Sequence, residues 1–309
     1  MNRTTALLAA FALTALLPAA APAQDDDGEE LSPEQIEELR LADPIPGRTG
    51  DVALPSAHAT LRVPAGYRFV DAEGARHMLV DYWDNPEDVA KGVLGMLVSE
   101  DCKGFVDVET AYFFEYHDVG YVPDKDAASL DFAKVLREMQ REAKADRSRP
   151  APFRAELVGW AIPPRYDAER KVLSWGRHLS FGDPSGETKD VLNFDMRILG
   201  RRGILNVNAV ADLDAADEVS AAREGIVGAV TFDPGYAYAD FDPATDGKSD
   251  WSLGALVAGG VLAAKTGLLA KIGLLLLKAW KLVLVAAVAI GALFRRIAGR
   301  GKRDGGAQA

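Results

Sequence analysis

The sequence has 309 residues, of which 48% are hydrophobic, and this is enough for one large folded domain with anchoring segments. Its formal net charge is −11, but residues 24–250 hold 45 of the 46 acidic and 25 of the 35 basic side chains, so the balance for this part is −20. Such an acidic body disfavours nucleic acid and anionic lipid as partners of the domain, and a single cysteine, Cys102, excludes an intramolecular disulfide and a four-cysteine zinc site.

Residues 1–23 have the pattern of a signal peptide. Arg3 supplies the positive charge, residues 6–17 form an apolar run, and Ala21-Pro22-Ala23 matches a small-x-small cleavage site. The run is too short to cross a bilayer, which takes about 20 residues. We therefore expect export, with cleavage between Ala23 and Gln24.

Residues 24–58 are predicted to be an acidic, flexible leader. Up to residue 51 this segment contains ten acidic and two basic side chains, a composition typical of chain that does not build a core. Within it, Ser32-Pro33-Glu34-Gln35 combines a good N-cap with proline at the first helical position. One short exposed helix is therefore expected over residues 33–41.

Residues 59–235 are predicted to form an extracytoplasmic domain. The apolar periodicity predicts strands over residues 61–63, 67–70, 92–98, 106–117, 156–162, 171–181, 190–199 and 204–211, and helices over residues 72–83, 126–144 and 214–230. Gly200-Arg201-Arg202-Gly203 joins the last two strands as a hairpin turn. Because strands and helices segregate along the chain, the predicted class is α+β, a mainly antiparallel sheet with two or three packing helices.

The remaining residues predict a membrane anchor. The predicted segments are a juxtamembrane linker (236–252), an amphipathic or apolar juxtamembrane segment (253–271), a transmembrane helix (272–294) and a basic tail (295–309). Twenty-three helical residues span about 35 Å, more than the roughly 30 Å hydrocarbon core. The basic tail should stay in the cytoplasm, so we expect a single-pass protein of a bacterial inner membrane with a periplasmic domain. A hairpin of two spans is the alternative.

Three lysines lie on one side of the predicted membrane helix: Lys271, Lys278 and Lys281. Two interpretations are open. The lysines snorkel to the outer surface and set the depth of the helix, or they pack against a second copy of the chain or another membrane protein.

An unusual set of polar residues follows the strands around the hairpin. Core-facing Leu192, Phe194 and Met196 alternate with polar residues, and asparagine and aspartate are poor strand formers, which indicates a specific polar network. The candidate polar binding face consists of His178, Asn193, Asp195, Arg197, Asn206 and Asn208. It is either a solvated face with an Asp195–Arg197 ion pair or a site for a ligand or partner.

Signatures of catalysis are missing from the sequence. It has no zinc-protease, nucleophile-elbow or phosphate-loop motif, so we expect no catalytic residue, metal or cofactor, and a binding or structural role. The alternative is a periplasmic hydrolase with paired carboxylates. Asp107 and Glu109 lie about 7 Å apart if they share the exposed face of the predicted strand 106–117, a face that also carries Glu115, and this falls in the range for inverting glycosidases.

Four stretches resemble a known bacterial family. They are Gly66-Tyr67-Arg68-Phe69, Leu157-Val158-Gly159-Trp160-Ala161-Ile162-Pro163-Pro164-Arg165-Tyr166-Asp167, Leu199-Gly200-Arg201-Arg202-Gly203 and Tyr238-Ala239-Asp240-Phe241-Asp242-Pro243. The family is that of membrane-anchored proteins named domain of unknown function 2167. The resemblance implies an exported, anchored protein of the cell envelope with no assigned activity. The order of strands and helix in residues 155–232 is also similar to the PsbP-like fold.

Overall fold

The structure is a computed structural model that describes residues 32–83, 85–145, 155–182 and 188–258. Its strands are β1 (Asp51–Leu54), β2 (Ala59–Arg62), β3 (Tyr67–Asp71), β4 (Val93–Ser99), β5 (Ala111–His117), β6 (Ala155–Asp167), β7 (Val172–Gly182), β8 (Thr188–Leu199), β9 (Ile204–Asp212) and β10 (Val230–Phe232). Its α-helices are α1 (Pro33–Ala42), α2 (Ala72–Arg76), α3 (Glu87–Ala90), α4 (Phe132–Ala145), α5 (Ala216–Gly228) and α6 (Leu253–Ala258).

A seven-stranded sheet in the order β3-β4-β5-β9-β8-β7-β6 forms the centre of the domain, beside a small sheet in the order β1-β2-β10. Neighbouring strands pair antiparallel in both sheets. This confirms the predicted α+β class with a mainly antiparallel sheet and packing helices.

One face of the large sheet packs against α5 and the small sheet. Phe194 and Met196 of β8 lie in the same apolar cluster as Val219 and Ile226 of α5 and Leu61 of β2. These sheet side chains are fully buried, as expected for the alternate residues of a covered strand. Along β8 and β9, successive side chains on this face are apolar and belong to the same cluster.

The opposite face packs against the other helices in two separate apolar clusters. One cluster joins α2, α3 and α4 to the sheet through residues such as Leu79 and Phe113. The second joins α6 to the sheet through Leu253, Leu256 and Trp175. The polar side chains of β7, β8 and β9 lie on this same face, so the sheet carries buried polar groups as well as two apolar clusters here.

The predicted boundary between leader and domain, at residues 58 and 59, is wrong. Strand β1 pairs along its length with β2, and the helix predicted at 33–41 is observed as α1 with a capping box at Ser32. Arg40 of α1 donates to Asp107 over 2.7 Å, and Ile45 is buried in the core. Residues 32–58 therefore belong to the folded domain, which holds them through strand pairing, the Arg40–Asp107 contact and the buried Ile45.

The predicted linker also belongs to the domain. Tyr238 is buried, and its hydroxyl donates to the carbonyl of Val122 over 2.9 Å. Arg201 binds both carboxylate oxygens of Asp246, at 2.7 and 3.1 Å. Residues 253–258, predicted to begin the juxtamembrane segment, form α6 with Leu253 fully buried.

Several element boundaries differ from the predictions. The strand predicted over 106–117 begins only at Ala111, because a 3-10 turn (Phe105–Asp107) precedes it. The helix predicted over 72–83 does begin with Asp71 as its cap, but it continues as a π-helical turn, His77–Tyr82. Helix α4 starts at Phe132 instead of 126, where Asp131 caps it through the N–H of Lys134.

Several predictions concern residues outside those that the structure describes. They are the signal peptide, its cleavage between Ala23 and Gln24, the transmembrane helix 272–294, the basic tail and the lysines Lys271, Lys278 and Lys281. Over the ranges that are described, none of the helices has the length and apolar character needed to cross a membrane.

Candidate functional site

A small pocket lies against the polar face of the central strands. Its polar lining comes from β5, β7, β8 and β9, which are neighbours in the sheet. The polar lining residues are Glu115, Arg177, Asn193, Asp195, Asn206 and Asn208. The register explains how they meet: Asn206 is opposite both Glu115 and Arg197, and Asn208 is opposite Asp195.

Three of these side chains form a connected hydrogen-bond network around Asp195, which is 1% exposed. Arg177 donates to Asp195 over 2.9 Å and also to the amide oxygen of Asn193. Asn208 donates to the other carboxylate oxygen of Asp195 over 3.2 Å. Burial of a carboxylate is costly unless it has such partners, so Asp195 depends on the network around it.

Asn206 is different, because its amide has no hydrogen-bond partner among the residues that the structure describes. The residue is 1% exposed, yet neither Oδ1 nor Nδ2 accepts or donates a hydrogen bond within the described part of the chain. The Nε atoms of Arg177 and Arg197 are likewise buried without a hydrogen bond to any described residue. Buried polar atoms without partners are rare, so a concentration of them around one pocket requires an explanation.

The formal charges of the site balance. Arg177 and Arg197 are opposed by Asp195 and Glu115, and Glu115 also lies 3.3 Å from the ring nitrogen of His117. Burial lowers the pKa of Arg197, and the nearby carboxylates of Asp195 and Glu115 oppose that effect. The site therefore offers hydrogen-bond donors and acceptors without an excess of either charge.

Apolar side chains form the rest of the pocket wall, and two of them, Val93 and Phe113, come from strands β4 and β5. Leu79 comes from the π-helical turn and Val89 from the four-residue helix α3. π-Helical turns inside helices are frequent at functional sites. The cavity volume is about 20 Å³, room for about one water molecule. A larger molecule requires Leu79 and Val89 to move outward.

The structure brings five of the six residues of the candidate polar binding face together and places the sixth elsewhere, while the binding role itself stays a prediction. Asn193, Asp195, Arg197, Asn206 and Asn208 share one face, but that face is buried instead of solvated, because helices cover it. The Asp195–Arg197 ion pair is present, at 3.4 Å.

His178 does not belong to the face. Its register partner is Leu192, which points to the α5 side, and side chains alternate along a strand. Its ring nitrogen lies 3.2 Å from Asp190 instead. Arg177, one residue earlier in β7, occupies the position on the polar face that was predicted for His178. Glu115 was also missed, since the predicted alternation placed it on an exposed face, whereas it is 7% exposed.

The paired carboxylates of the hydrolase alternative do not share a strand. Asp107 lies in the 3-10 turn, where it accepts from Arg40 and from the backbone N–H groups of Lys103 and Gly104. Burial favours a higher pKa for Asp107, but these hydrogen bonds outweigh it and lower the pKa. A general acid needs the opposite shift, so this arrangement supports helix and turn capping.

A metal site is absent from the described ranges, because no three His, Cys, Asp or Glu side chains there lie close enough together to hold an ion. The lone thiol, Cys102, is buried, and burial raises its pKa. That direction disfavours the thiolate that a nucleophilic cysteine needs.

Comparison with known proteins identifies a family. A family model described as "Protein of unknown function (DUF2167)" matches residues 47–289, which confirms the resemblance found in the sequence. None of the curated proteins compared with this sequence matches it.

Three solved structures illustrate the distant similarities of the fold. CyanoP, the PsbP protein of the cyanobacterium Synechocystis, has a TM-score of 0.35 and 13% identity, with 59% of this chain and 91% of that chain covered. LpqN of Mycobacterium tuberculosis, involved in cell envelope biogenesis, has a TM-score of 0.30 and 17% identity, with 57% and 83% covered. The Ran-binding protein Mog1p of Saccharomyces cerevisiae has a TM-score of 0.29 and 11% identity, with 60% and 96% covered. At these TM-scores, the similarities carry no inference about function.

Proposed function

The chain belongs to the family of proteins of unknown function DUF2167, and we propose that it is a membrane-anchored, extracytoplasmic binding protein of the cell envelope. In this proposal the folded domain binds a small polar molecule in the pocket lined by Asn206, Asn208, Arg177 and Glu115. The apolar C-terminal sequence, residues 272–294, holds the domain at the membrane.

The observation that carries the binding role is the unpaired amide of Asn206. A buried polar group without a partner costs about 1–3 kcal/mol of stability. Leucine has the same branched arrangement of side-chain heavy atoms, although it is larger, and it avoids this cost, so an asparagine here is expensive for a purely structural position. A ligand that hydrogen-bonds both amide atoms explains the residue, since it restores the missing partners on binding.

The available atoms also define the ligand. Asn206 Nδ2 and Arg177 Nε offer donors and Asn206 Oδ1 offers an acceptor at the pocket, while Glu115 Oε2 adds a second acceptor that also lies 3.3 Å from His117 Nε2. Because the formal charges balance, the ligand should be neutral overall. A compact head with donors and acceptors side by side fits this pattern, such as a primary amide or the zwitterionic head of an amino acid.

Binding can be tested by the thermal stability of the full chain in detergent. We expect some members of a panel of small amides and amino acids to raise the Tm of the wild type, because a ligand that binds only the folded state stabilises it. Asn206→Leu should abolish that rise. If no compound shifts the Tm, or if the variant shifts as much as the wild type, the pocket is not the binding site.

The anchoring can be tested separately with reporter fusions. A reporter that works only in the cytoplasm should be active after Ala309, and one that works only outside should be active after Ala258. Reversed activities would contradict the single-span topology, and external activity at both sites would support the hairpin.

A further inference from the structure

Helix α4 carries a row of four basic side chains on its outer side: Lys134, Arg137, Arg141 and Lys144. At 100° per residue these positions fall within an arc of about 80°. All four residues are exposed, and the arc is centred opposite Met139, the residue that α4 buries in the core. We call these four residues the basic stripe.

The basic stripe is uncompensated. Within the described part of the protein, none of its side chains forms an ion pair or hydrogen bond, although many other surface charges of this acidic domain do. Glu138 and Glu142 of α4 lie about 80° and 120° around the helix axis from the centre of the stripe, and Glu138 follows Lys134 by one turn without pairing with it. Among the described residues no anion pairs with the stripe, which presents its positive charge to solvent.

The position of α4 points to a membrane surface as the missing anion. Phe132 and Val135 of α4 pack into the same cluster as Leu253 and Leu256 of α6. Helix α6 ends only 13 residues before the apolar segment 272–294. The basic stripe is therefore on the helix that packs against α6, the described element nearest in sequence to the proposed anchor.

We propose that the basic stripe of α4 contacts the anionic phospholipid headgroups of the membrane that anchors the chain. This inference rests on the membrane anchor of the proposed function. The overall negative charge of the domain does not prevent the contact, because charges more than about 8 Å away are largely screened at physiological salt. The anchor keeps the domain close to the surface, so a weak attraction per side chain is sufficient.

Lysine reactivity on vesicles tests the contact. The full chain is reconstituted in vesicles of phosphatidylcholine alone or mixed with phosphatidylglycerol, and an impermeant acetylating reagent is read out by mass spectrometry. We expect Lys134 and Lys144 to react about fivefold more slowly on the phosphatidylglycerol vesicles, and the difference to vanish at high salt. Lys91, on the loop after α3, is the internal reference, and its rate should not change.

Two double variants keep both reporter lysines. Arg137→Gln with Arg141→Gln removes half of the stripe and should largely abolish the protection. Glu138→Gln with Glu142→Gln, on the flank of the same helix, should leave it intact. Loss of protection in the second variant, or its persistence in the first, would show that the stripe is not the contact.

The outcomes separate this inference from the anchor itself. If the chain floats with both kinds of vesicle but the lysines react equally on both, the lipid contact is wrong and the anchor stands. If it floats with neither, the anchor is wrong and the contact falls with it. Protection that appears only in native membranes, and not with phosphatidylglycerol, would overturn the lipid contact in favour of an acidic protein partner.

Discussion

Asn206 and Asn208 lie two residues apart on β9 and face the same pocket, but they are bonded in opposite ways. Asn208 donates to Asp195 and to the carbonyl of Phe194, at 3.2 and 3.3 Å. Asn206 has no hydrogen-bond partner among the described residues. The pair therefore provides a matched comparison between an asparagine with structural partners and the asparagine that we propose to bind the ligand.

We expect the two leucine variants to change stability with opposite signs. Asn206→Leu should stabilise the unliganded protein by about 1–3 kcal/mol, because it removes an unpaired buried amide. Asn208→Leu should destabilise it by about 1–3 kcal/mol, because Asp195 loses a donor. Urea unfolding of the full chain in detergent, without added ligand, measures both. Destabilisation by Asn206→Leu would mean that the amide does have structural partners.

His77 gives a pH-dependent contribution to stability. Its Nε2 lies 2.7 Å from Asp43 and its Nδ1 lies 2.6 Å from Asp81, and these hydrogen bonds raise the pKa of His77 above its ordinary value of 6.5. A raised folded-state pKa gives stability that is complete below the unfolded-state pKa and is lost as pH rises through the folded-state pKa.

The stability difference between wild type and His77→Gln should therefore shrink as pH increases from about 5 to about 9. The effect should be modest, since the His77 side chain is 34% exposed and solvent screens the charges. The urea midpoints of both proteins across that pH range provide the measurement. A difference that grows with pH would contradict the assignment.

At the scale of single residues, the sequence predicts that a polar network exists in the sheet better than it predicts which residues belong to it. Asparagine and aspartate in the strands around Asp195 indicate a polar network because they are poor strand formers. The choice between Arg177 and His178 depends on the register of β7 against β8, and a shift of one residue exchanges the faces. Nothing local to Glu115 reveals that helices cover its face of the sheet.

At the scale of elements, the family stretch on β6 has a structural explanation. Strand β6 is at the edge of the large sheet, and Pro163 and Pro164 lie where its register against β7 shifts, between Ile162 and Arg165. Proline has no N–H to donate, so these residues blunt an edge that would otherwise pair with other chains.

The hairpin turn between β8 and β9 holds the segment that follows β10. Arg201 donates to both oxygens of Asp246 and, over 3.0 Å, to the carbonyl of Gly235. The guanidinium of one family stretch, 199–203, therefore binds residues on both sides of another, 238–243. Lysine cannot form the two parallel bonds that arginine forms with a carboxylate. The turn itself was predictable from its glycines, whereas this contact joins residues 45 positions apart.

Arg201→Lys should loosen residues 236–250. We expect amide hydrogen exchange in peptides from this segment to accelerate about tenfold, because local opening no longer breaks a bidentate ion pair. The neighbouring exposed residue supplies the control: Arg202→Lys keeps the positive charge near Asp246 and changes the ring contact with Tyr236, so it should leave the exchange rates nearly unchanged. Equal acceleration in both variants would argue against the role of the Arg201–Asp246 contact.

At the scale of the whole molecule, the fold class and most strands follow from the sequence, but the extent of the domain does not. Polar, proline-rich composition predicts mobile segments before residue 59 and after residue 235. The structure includes both segments in the fold through partners far away in sequence, such as Asp107 for Arg40 and Val122 for Tyr238. Composition reports the average tendency of a segment, whereas these contacts depend on specific long-range pairs.

Because the domain extends further along the chain than predicted, the pocket and the sequence that leads to the proposed anchor belong to one folded unit. The pocket lies on the same covered face of the sheet as α6, which is the last described element before the proposed anchor. A ligand in the pocket and a lipid surface beside α4 would therefore act on one rigid sheet from its helix-covered side.

Native mass spectrometry of the full chain, extracted from the membranes in which it is made, tests the central claim most directly. We predict that the wild type carries a small bound molecule, that Arg202→Lys retains it, and that Asn206→Leu loses it although the fold is more stable. The account is contradicted if the wild type carries no small molecule, or if Asn206→Leu carries the same molecule to the same extent.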